Sequence, residues 1–261
     1  MALNASDGGG AKIRFGDAAL GGSSSFVDDQ NYSATAGKDS ITVFLNDGVV
    51  TVLRSGDAKL QSGDGGLCVA CDFIKWGSWE SHLVFDDEGN GSSNVFAHGW
   101  WVAGDIIDSS DLPFDGSAIY EGGAIADVAN NLNGQGWVTY TARGDMQMTW
   151  DFGTREGDLT ISNFDKENID GGLTVTGRMT TPGEIEGKNK FSGELSGQNL
   201  PENLSDLSGS ANGSFVRGPD NFKDGRAVSK STPQGVIGNW NVGSEHYQAG
   251  GIFAGSRATA R

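Results

Sequence analysis

Two cysteines, three positions apart, are the most recognisable candidates for chemistry in this chain. They are Cys68 and Cys71, in the sequence CVAC. A redox pair with this spacing would open a helix after a strand, and no such pattern surrounds it. A metal site would need two further ligands, and there is no second cysteine pair. A small structural disulfide is favoured in an exported β protein, with free thiols or a metal site as the alternatives.

The histidines are the other candidates for binding a metal or haem. They are His82, His98 and His246. If Phe85 pairs with Val95, then His82 and His98 face each other on neighbouring strands, where two imidazoles could ligate a metal or a haem. A slip of one residue would turn both side chains to the other face of the sheet. Independent surface histidines are therefore favoured, and we predict no metal and no cofactor.

No group of residues forms a recognisable catalytic arrangement. Serines are abundant, but none lies in a GxSxG turn between a strand and a helix. Carboxylate pairs occur throughout so acidic a chain, so their proximity in sequence says little about a site. We predict that the protein is not an enzyme.

Two features predict a binding surface instead. Strand alternation places one of Trp100 and Trp101 on the outside, where an exposed tryptophan often anchors an interface. The second feature is the long loop at 218–234, which carries Lys223, Arg226 and Lys230. This cationic stretch on an acidic chain could steer an acidic partner or a neighbouring copy of the chain. The alternatives are core packing for the tryptophans and a flexible, solvated insertion for the loop.

The net charge narrows the class of partner. The formal charge is −16 at pH 7, whereas nucleic acids and anionic membranes are bound through basic patches. No stretch of the sequence approaches the roughly 18 apolar residues that a membrane-spanning helix needs. We predict no nucleic-acid partner, no membrane span, and a protein exposed to solvent.

The elements that would position these residues are strands. Apolar or aromatic residues occupy alternate positions and are followed by glycine in three segments: AIYEGG (118–123), GDMQMTWDFG (144–153) and GGIFAGSR (250–257). Such alternation is typical of a strand with one buried face. The pattern continues from residue 117 onward and predicts an all-β, up-and-down antiparallel barrel of about eight strands. In this barrel Phe253 points inward and the last strand closes against the first.

The composition divides the chain into three parts. Residues 1–30 are small and polar and predict a flexible leader or linker. Residues 31–112 predict an N-terminal β region packed on the barrel, beginning with the hairpin ITVFLNDGVVTVL at 41–53. Residues 113–261 predict the barrel itself. Glycine is frequent (42 residues) and proline rare (5), which favours bends and bulges in a sheet over a disordered linker.

Several segments also resemble a known family. WDFGTREGDLTISNFD (150–165), NKFSGELSG (189–197), GSANGSFVRGP (209–219) and GIFAGSR (251–257) resemble the C-terminal β-barrel of transferrin-binding-protein-B-like surface proteins. CVACDFIKWGSW (68–79) and SSFVDDQNY (24–32) resemble the C-terminal region of large alphaproteobacterial FecR-domain surface proteins. The resemblance spans about 26–261 and consists of glycine–aromatic packing motifs without catalytic residues.

The resemblance implies a non-enzymatic module at the cell surface. Its expected location is extracellular or on the bacterial outer-membrane surface, and its expected role is to bind a partner protein or ligand. A structural or assembly module is the alternative, in which the barrel self-associates or anchors the end of a large exported protein. Haem or metal binding is a second alternative, because related small barrels bind haem or haem proteins.

Overall fold

The computed structural model shows an all-β protein with almost no helix. It describes residues 67, 68, 71–87, 91–181, 189–198, 204, 206–223, 226–228 and 230–258, together with the strands before residue 57. For those early strands, for residues 78–87 and 91–99 and for Trp101, it describes the backbone alone. In the part of the chain that is described, no helix has the length and apolar character needed to span a bilayer.

A closed antiparallel barrel forms the C-terminal part of the described chain. Each strand pairs with the next along the chain, and the last pairs with the first, so the predicted up-and-down barrel of about eight strands is confirmed. A small hairpin, β15 and β16, projects between β14 and β17. The barrel strands are β9 (Ser117–Asn130), β10 (Val138–Asp151), β11 (Glu156–Phe164), β12 (Leu173–Thr180), β13 (Lys190–Gly197), β14 (Ser208–Arg217), β17 (Gly235–Gly243) and β18 (Tyr247–Arg257), and the projecting hairpin is β15 (Phe222–Lys223) with β16 (Arg226–Ala227).

The inside of the barrel is filled with aromatic and aliphatic side chains, so it is a packed core and not a pore. Phe253 is fully buried there, and its strand pairs with β9 at Ala124, as predicted. Glycines on the inner face make room for the rings. A Cβ added at Gly238 would collide with the ring of Phe253, and one added at Gly213 would lie 2.5 Å from Cζ of Phe191. Glycines therefore lie against large aromatic side chains inside the barrel, and the space they leave is filled by the rings.

A second sheet lies before the barrel in the chain. Its order is β2-β1-β7-β6-β5-β4-β3, and β1 runs parallel to β7. The predicted hairpin at 41–53 is present as β4 and β5, paired from Ser40 and Arg54 to Phe44 and Val50. Apart from β1 and β2, the predicted leader at 1–30 lies outside the described residues. The strands of this sheet are β1 (Ala2–Asn4), β2 (Lys12–Arg14), β3 (Tyr32–Ala36), β4 (Ser40–Leu45), β5 (Val50–Gly56), β6 (Lys75–Asp87) and β7 (Gly91–Ala103).

The register between β6 and β7 corrects the histidine hypothesis. Phe85 pairs with Ser93 and not with Val95, and His82 lies opposite Phe96. His98 lies opposite Glu80, so the two imidazoles are not directly paired. The strands run on to Asp87 and Gly91, leaving only three residues for the turn, and this shifts the register by two positions. His82 and His98 are therefore diagonal neighbours on the same face of the sheet, two positions apart in register, and not a directly opposed pair.

An apolar seam joins the barrel wall to the segment that leads into the second sheet. Cys68 and Cys71 are bonded to each other and buried in it, with their Cα atoms 5.4 Å apart. The carbonyl oxygen of Leu67 lies against the barrel at Gly123, where an added Cβ would be 2.8 Å away. The disulfide loop thus sits directly on β9. The buried residues of the seam are Leu67, Cys68, Cys71, Ile74, Trp76, Val102, Ile125, Val216, Ile237, Ile252 and Ala254.

Candidate functional site

One end of the barrel gathers the loops that carry exposed cations. We call it the basic end. The register places the start of β9, the end of β10, the end of β14 and the start of β17 together there. The loop at 218–234, called the basic loop, therefore lies beside residues 107–116, called the plug segment, which run into β9. Ile107 and Leu112 of the plug segment are buried in the barrel core and close this end.

A buried arginine fixes the plug segment to the barrel. Arg217, the last residue of β14, is 7% exposed. Its Nη2 donates to Asp108 Oδ2 at 2.8 Å and to Asp111 Oδ2 at 3.0 Å, and its Nη1 donates to the carbonyl oxygen of Ile106 at 3.1 Å. Asp105, on the short strand β8 (Asp105–Ile106), lies 3.4 Å from Nη1. Burial disfavours the charge, but the three carboxylates more than offset it, so the pKa of Arg217 lies above its ordinary value.

The basic loop is held together by a buried asparagine, whose side chain forms hydrogen bonds with both ends of the loop. Asn221 is 2% exposed and ends a 3-10 turn, Pro219–Asn221. Its Oδ1 accepts from the backbone N–H groups of Gly218 and Gln234, each at 3.1 Å. Its Nδ2 donates to Ser231 Oγ and to the carbonyl oxygen of Thr232, each at 2.9 Å. Asn221 therefore ties the beginning of this loop at Gly218 to its end at Gln234.

Lys230 connects the basic loop to the plug segment. Its Nζ lies 3.9 Å from the ring centroid of Phe114 and donates to the carbonyl oxygen of Ser110. A cation over an aromatic face is attracted by the ring quadrupole. The backbone of Lys230 is left-handed, with φ of 59°, a conformation that is uncommon outside glycine and asparagine-like residues. Neighbouring structure therefore holds this lysine in place.

The rest of the basic end presents apolar and cationic side chains to solvent. Phe114 is 74% exposed, and Phe222 and Val228 are also exposed. Lys223 and Arg226, on the hairpin β15–β16, are exposed beside them. The structure therefore brings all three predicted basic residues to one end of the barrel. Phe114 and Phe222 were not predicted as part of this surface. Their position within polar loop segments could have indicated exposed aromatic side chains.

The tryptophan part of the predicted site lies elsewhere. Trp100 is half-buried against the seam, and its ring centroid is 6.2 Å from that of Trp76. The Nε1 atoms of both indoles are buried without a hydrogen-bond partner among the described residues. The side chain of Trp101 lies outside the described part of the chain. Trp100 therefore packs between sheets and does not join Lys223, Arg226 and Lys230.

The opposite end of the barrel is closed by a buried carboxylate that the sequence did not reveal. Asp165 is 2% exposed, and its Oδ2 accepts from Tyr140 Oη at 2.7 Å and from Tyr247 Oη at 2.9 Å. Its Oδ1 accepts from Asn168 Nδ2 at 2.8 Å. Burial, with Asp165 contributing, raises the pKa of Tyr140 to about 12 and that of Tyr247 further still. The phenols thus stay protonated and donate to Asp165, and the group closes this end of the barrel.

The described residues contain no group of three or more histidine, cysteine, aspartate or glutamate side chains that could hold a metal ion. His246 is exposed, with Nε2 3.9 Å from Glu245 Oε1. For His82 and His98 the structure describes the backbone alone.

Comparison with known proteins finds similarity in solved structures only. No protein-family model and no curated protein matches the chain. Intact Ap-TbpB, with its N and C lobes, is 16% identical at a TM-score of 0.45, covering 97% of this chain. HpuA from Kingella denitrificans, in complex with human haemoglobin, is 15% identical at a TM-score of 0.41, covering 95% of this chain. Transferrin binding protein B from serogroup B Neisseria meningitidis is 12% identical at a TM-score of 0.43, covering 89% of this chain.

The chain spans different shares of these structures. It matches 44% of Ap-TbpB and 36% of the Neisseria protein, but 83% of HpuA. These likenesses concern overall architecture, and the placement of a binding surface on this chain rests on its own residues.

Proposed function

We propose that the chain is a non-enzymatic, surface-displayed module that holds a protein partner on its basic end. The observation that carries this proposal is the grouping of exposed Phe114, Phe222 and Val228 with Lys223 and Arg226 on one ordered scaffold. Aromatic residues and arginine supply most of the binding energy in protein interfaces. A scaffold that is ordered before binding loses little conformational entropy when a partner docks.

The cationic contacts of this surface are Lys223, Arg226 and Lys230. Aspartates lie among them, since the basic loop contains Asp220 and the plug segment contains Asp108, Asp111 and Asp115. A partner whose acidic groups face the three cations would be favoured. Because exposed charges are screened over roughly 10 Å at 0.1 M salt, this attraction weakens as salt is added.

The proposed location is the outside of a bacterial cell. The Cys68–Cys71 disulfide is of a kind that persists in oxidising compartments. The resemblance to FecR-domain surface proteins supports display at the end of a larger exported chain. The direct pairing of His82 with His98 that motivated haem or metal binding does not form, because the register places the two residues two positions apart.

Self-association is the second candidate function. The exposed cations of the basic loop could contact the acidic surface of another copy of the chain, whose formal charge is −16. Sedimentation velocity at increasing protein concentration separates this candidate from partner binding.

The test measures binding to purified haemoglobin and transferrin, the proteins named for the HpuA complex and for the Neisseria protein. The substitutions Phe222→Ser plus Arg226→Ser remove one apolar and one cationic contact from the basic end. The matched control, Trp137→Ser plus Lys166→Ser, removes an exposed aromatic and a lysine from the Asp165 end. We expect a saturable, salt-sensitive complex that the first pair weakens at least tenfold and the control pair leaves within twofold.

Two outcomes would reject the proposal. One is that the chain forms no complex with haemoglobin, none with transferrin and none with another copy of itself. The other is a complex that the two pairs of substitutions weaken equally. Circular dichroism of each variant confirms that the barrel is folded before binding is compared.

A further inference from the structure

A groove crosses the outer wall of the barrel near the Asp165 end, and we call it the side groove. Its volume is about 670 Å³, within the range usual for small-molecule sites. Residues 122–125 of β9 and 141–145 of β10 form its base. Because β9 carries the seam and β10 pairs with β11, Leu67 and Trp76 lie on one side of the groove and the segment 163–168 lies on the other.

A β-bulge places a polar side chain at this groove. Ile161 and Phe164 are both buried in the barrel core, and the register with β12 shifts between them. Strict alternation after Ile161 would turn residue 163 toward the core, whereas the bulge leaves Asn163 exposed. Bulges are frequent at barrel rims and next to active sites, where they re-aim a side chain.

The turn beside the bulge is held in place by hydrogen bonds. The backbone N–H of Asp165 donates to the carbonyl oxygen of Arg143 at 3.1 Å, and that of Asn168 donates to the carbonyl oxygen of Asp165 at 3.0 Å. Asn163 Nδ2 donates to Asp145 Oδ2 at 2.6 Å. Asn163 and Asp165 have a left-handed backbone, with φ of 52° and 59°, and such residues concentrate at functional sites. A rim ordered in this way loses little conformational entropy when a ligand binds.

Side chains of both charge signs line the side groove. Arg143 and Lys166 are cationic, Asp145 and Glu167 are exposed carboxylates, and the buried Asp165 adds a third carboxylate. Arg143 already has an interaction within the described chain. An anion would meet three carboxylates here, and a cation would meet two positive groups. A neutral ligand avoids repulsion from either set.

Neutral hydrogen-bonding groups complete the lining. Thr141 contributes a hydroxyl, and Asn163 and Asn168 contribute side-chain amides. With the charged groups, they place donors and acceptors side by side around the groove. A hydroxyl group both donates and accepts, so a ligand rich in hydroxyl groups matches this lining. Leu67 and Trp76 supply a small apolar contact that suits the C–H face of a sugar ring.

We propose that the side groove binds a neutral oligosaccharide. Asp145 and Glu167 accept hydrogen bonds from its hydroxyl groups, and Thr141, Asn163 and Asn168 both donate and accept. A wholly apolar ligand would cover these polar groups without giving them partners, which is unfavourable. This inference concerns the side of the barrel and is independent of the proposed protein interface at the basic end.

The probes are three neutral trisaccharides that differ in linkage and substituents: maltotriose, mannotriose and N,N′,N″-triacetylchitotriose. The comparison is tetraethylene glycol, a neutral chain of ether oxygens with hydroxyl groups only at its ends. Binding is followed by ¹H–¹⁵N correlation spectra, through the backbone signal of Gly144 and the side-chain amide signals of Asn168. We expect at least one trisaccharide to give saturable shifts at both residues and tetraethylene glycol to give none. Because the ligand is neutral, its affinity should not fall as salt is added.

Two pairs of substitutions compare the groove with the rest of the outer wall. Thr141→Ala plus Asn163→Gly removes a hydroxyl and an amide that line the groove, and glycine keeps the left-handed backbone at 163 without strain. The matched pair, Thr149→Ala plus Asn241→Gly, removes the same groups from exposed positions of β10 and β17 outside the groove. We expect the first pair to weaken trisaccharide binding at least tenfold and the matched pair to change it less than twofold. The same spectra show whether each variant is folded.

Three results would overturn the proposal: no saturable shift at Gly144 and Asn168 with any of the trisaccharides, equal shifts with tetraethylene glycol, or equal effects of the two pairs of substitutions. Because no partner protein is present in these titrations, the oligosaccharide site can fail while the protein interface holds. The protein interface can likewise fail while the oligosaccharide site holds.

Discussion

At the scale of single residues, three buried polar side chains organise the ends of the barrel. Arg217 holds the plug segment, Asn221 holds the basic loop, and Asp165 holds the turn between β11 and β12. Each has several hydrogen-bond partners, as buried polar groups require. Removing one of them would cost about 1–3 kcal/mol for each neutral partner that is left buried and unpaired. These polar anchors position the loops together with buried apolar residues such as Ile107 and Leu112.

Gly238 and Gly243 on β17 allow a matched test of the barrel interior. A Cβ at Gly238 would collide with the ring of Phe253, whereas at Gly243 the nearest atom would be 3.8 Å away. We expect Gly238→Ala to lower the free energy of unfolding by about 1–3 kcal/mol, as overpacked cores do, and Gly243→Ala to change it by less than about 0.5 kcal/mol. Urea denaturation measures both, and equal midpoints would contradict the packing argument.

At the scale of elements, the basic loop is a small structure of its own at the mouth of the barrel. Its hairpin β15–β16 is a separate two-stranded sheet, joined to the barrel through Asn221 and Gln234. Lys230 then ties it to the plug segment. Sequence reasoning treated 218–234 as one long loop, because strands of two residues leave no periodicity to detect.

Asn221→Ala should loosen this loop while the barrel stays intact. The substitution removes four hydrogen bonds, two accepted and two donated by the side-chain amide. We expect faster amide exchange at Gly218 and Gln234 and faster proteolysis within 222–231, with the protection of β9 and β18 unchanged. Asn241→Ala is the control, since that asparagine is exposed and bonded only to Ser210 in the described structure. If both variants exchange like the wild type, Asn221 is not the anchor of the loop.

At the scale of the whole molecule, the two sheets meet along one apolar seam. Ile125, Ile237 and Ile252 point outward from the barrel and are buried by the disulfide segment and by Trp76 and Val102. Serine and threonine occupy outward-facing positions of β10, β12 and β14. The seam is a strip of described barrel wall whose apolar residues are covered by the preceding segment of the chain.

The stability of the whole molecule should decrease at alkaline pH through its buried tyrosines. Burial raises the pKa of Tyr120, Tyr140 and Tyr247 above the ordinary value of 10.0. The native state therefore holds these protons more tightly than the unfolded chain does. Their contribution is fully present below pH 10 and is lost as the pH rises above it.

Tyr247→Phe provides the test. Each such group contributes a slope of about 1.4 kcal/mol per pH unit in that range, so the variant should lose stability less steeply than the wild type between pH 10 and 12. Lysine titration affects both proteins alike and cancels in the comparison. Unfolding free energies measured by urea at each pH give the two slopes, and parallel slopes would contradict the assignment.

The sequence by itself determined the barrel. Alternation with a period of two, interrupted by glycine, predicted an antiparallel barrel from residue 117 onward with Phe253 inside, because the residue types along a strand show which of its faces is buried. Tertiary structure decided which residues that are far apart in the sequence come into contact. The register of β6 and β7 placed His82 opposite Phe96 and His98 opposite Glu80, and packing against the seam half-buried Trp100. The partners of Asp165 and Arg217 come from strands and loops far away in sequence, and no local pattern specifies which buried polar groups will meet.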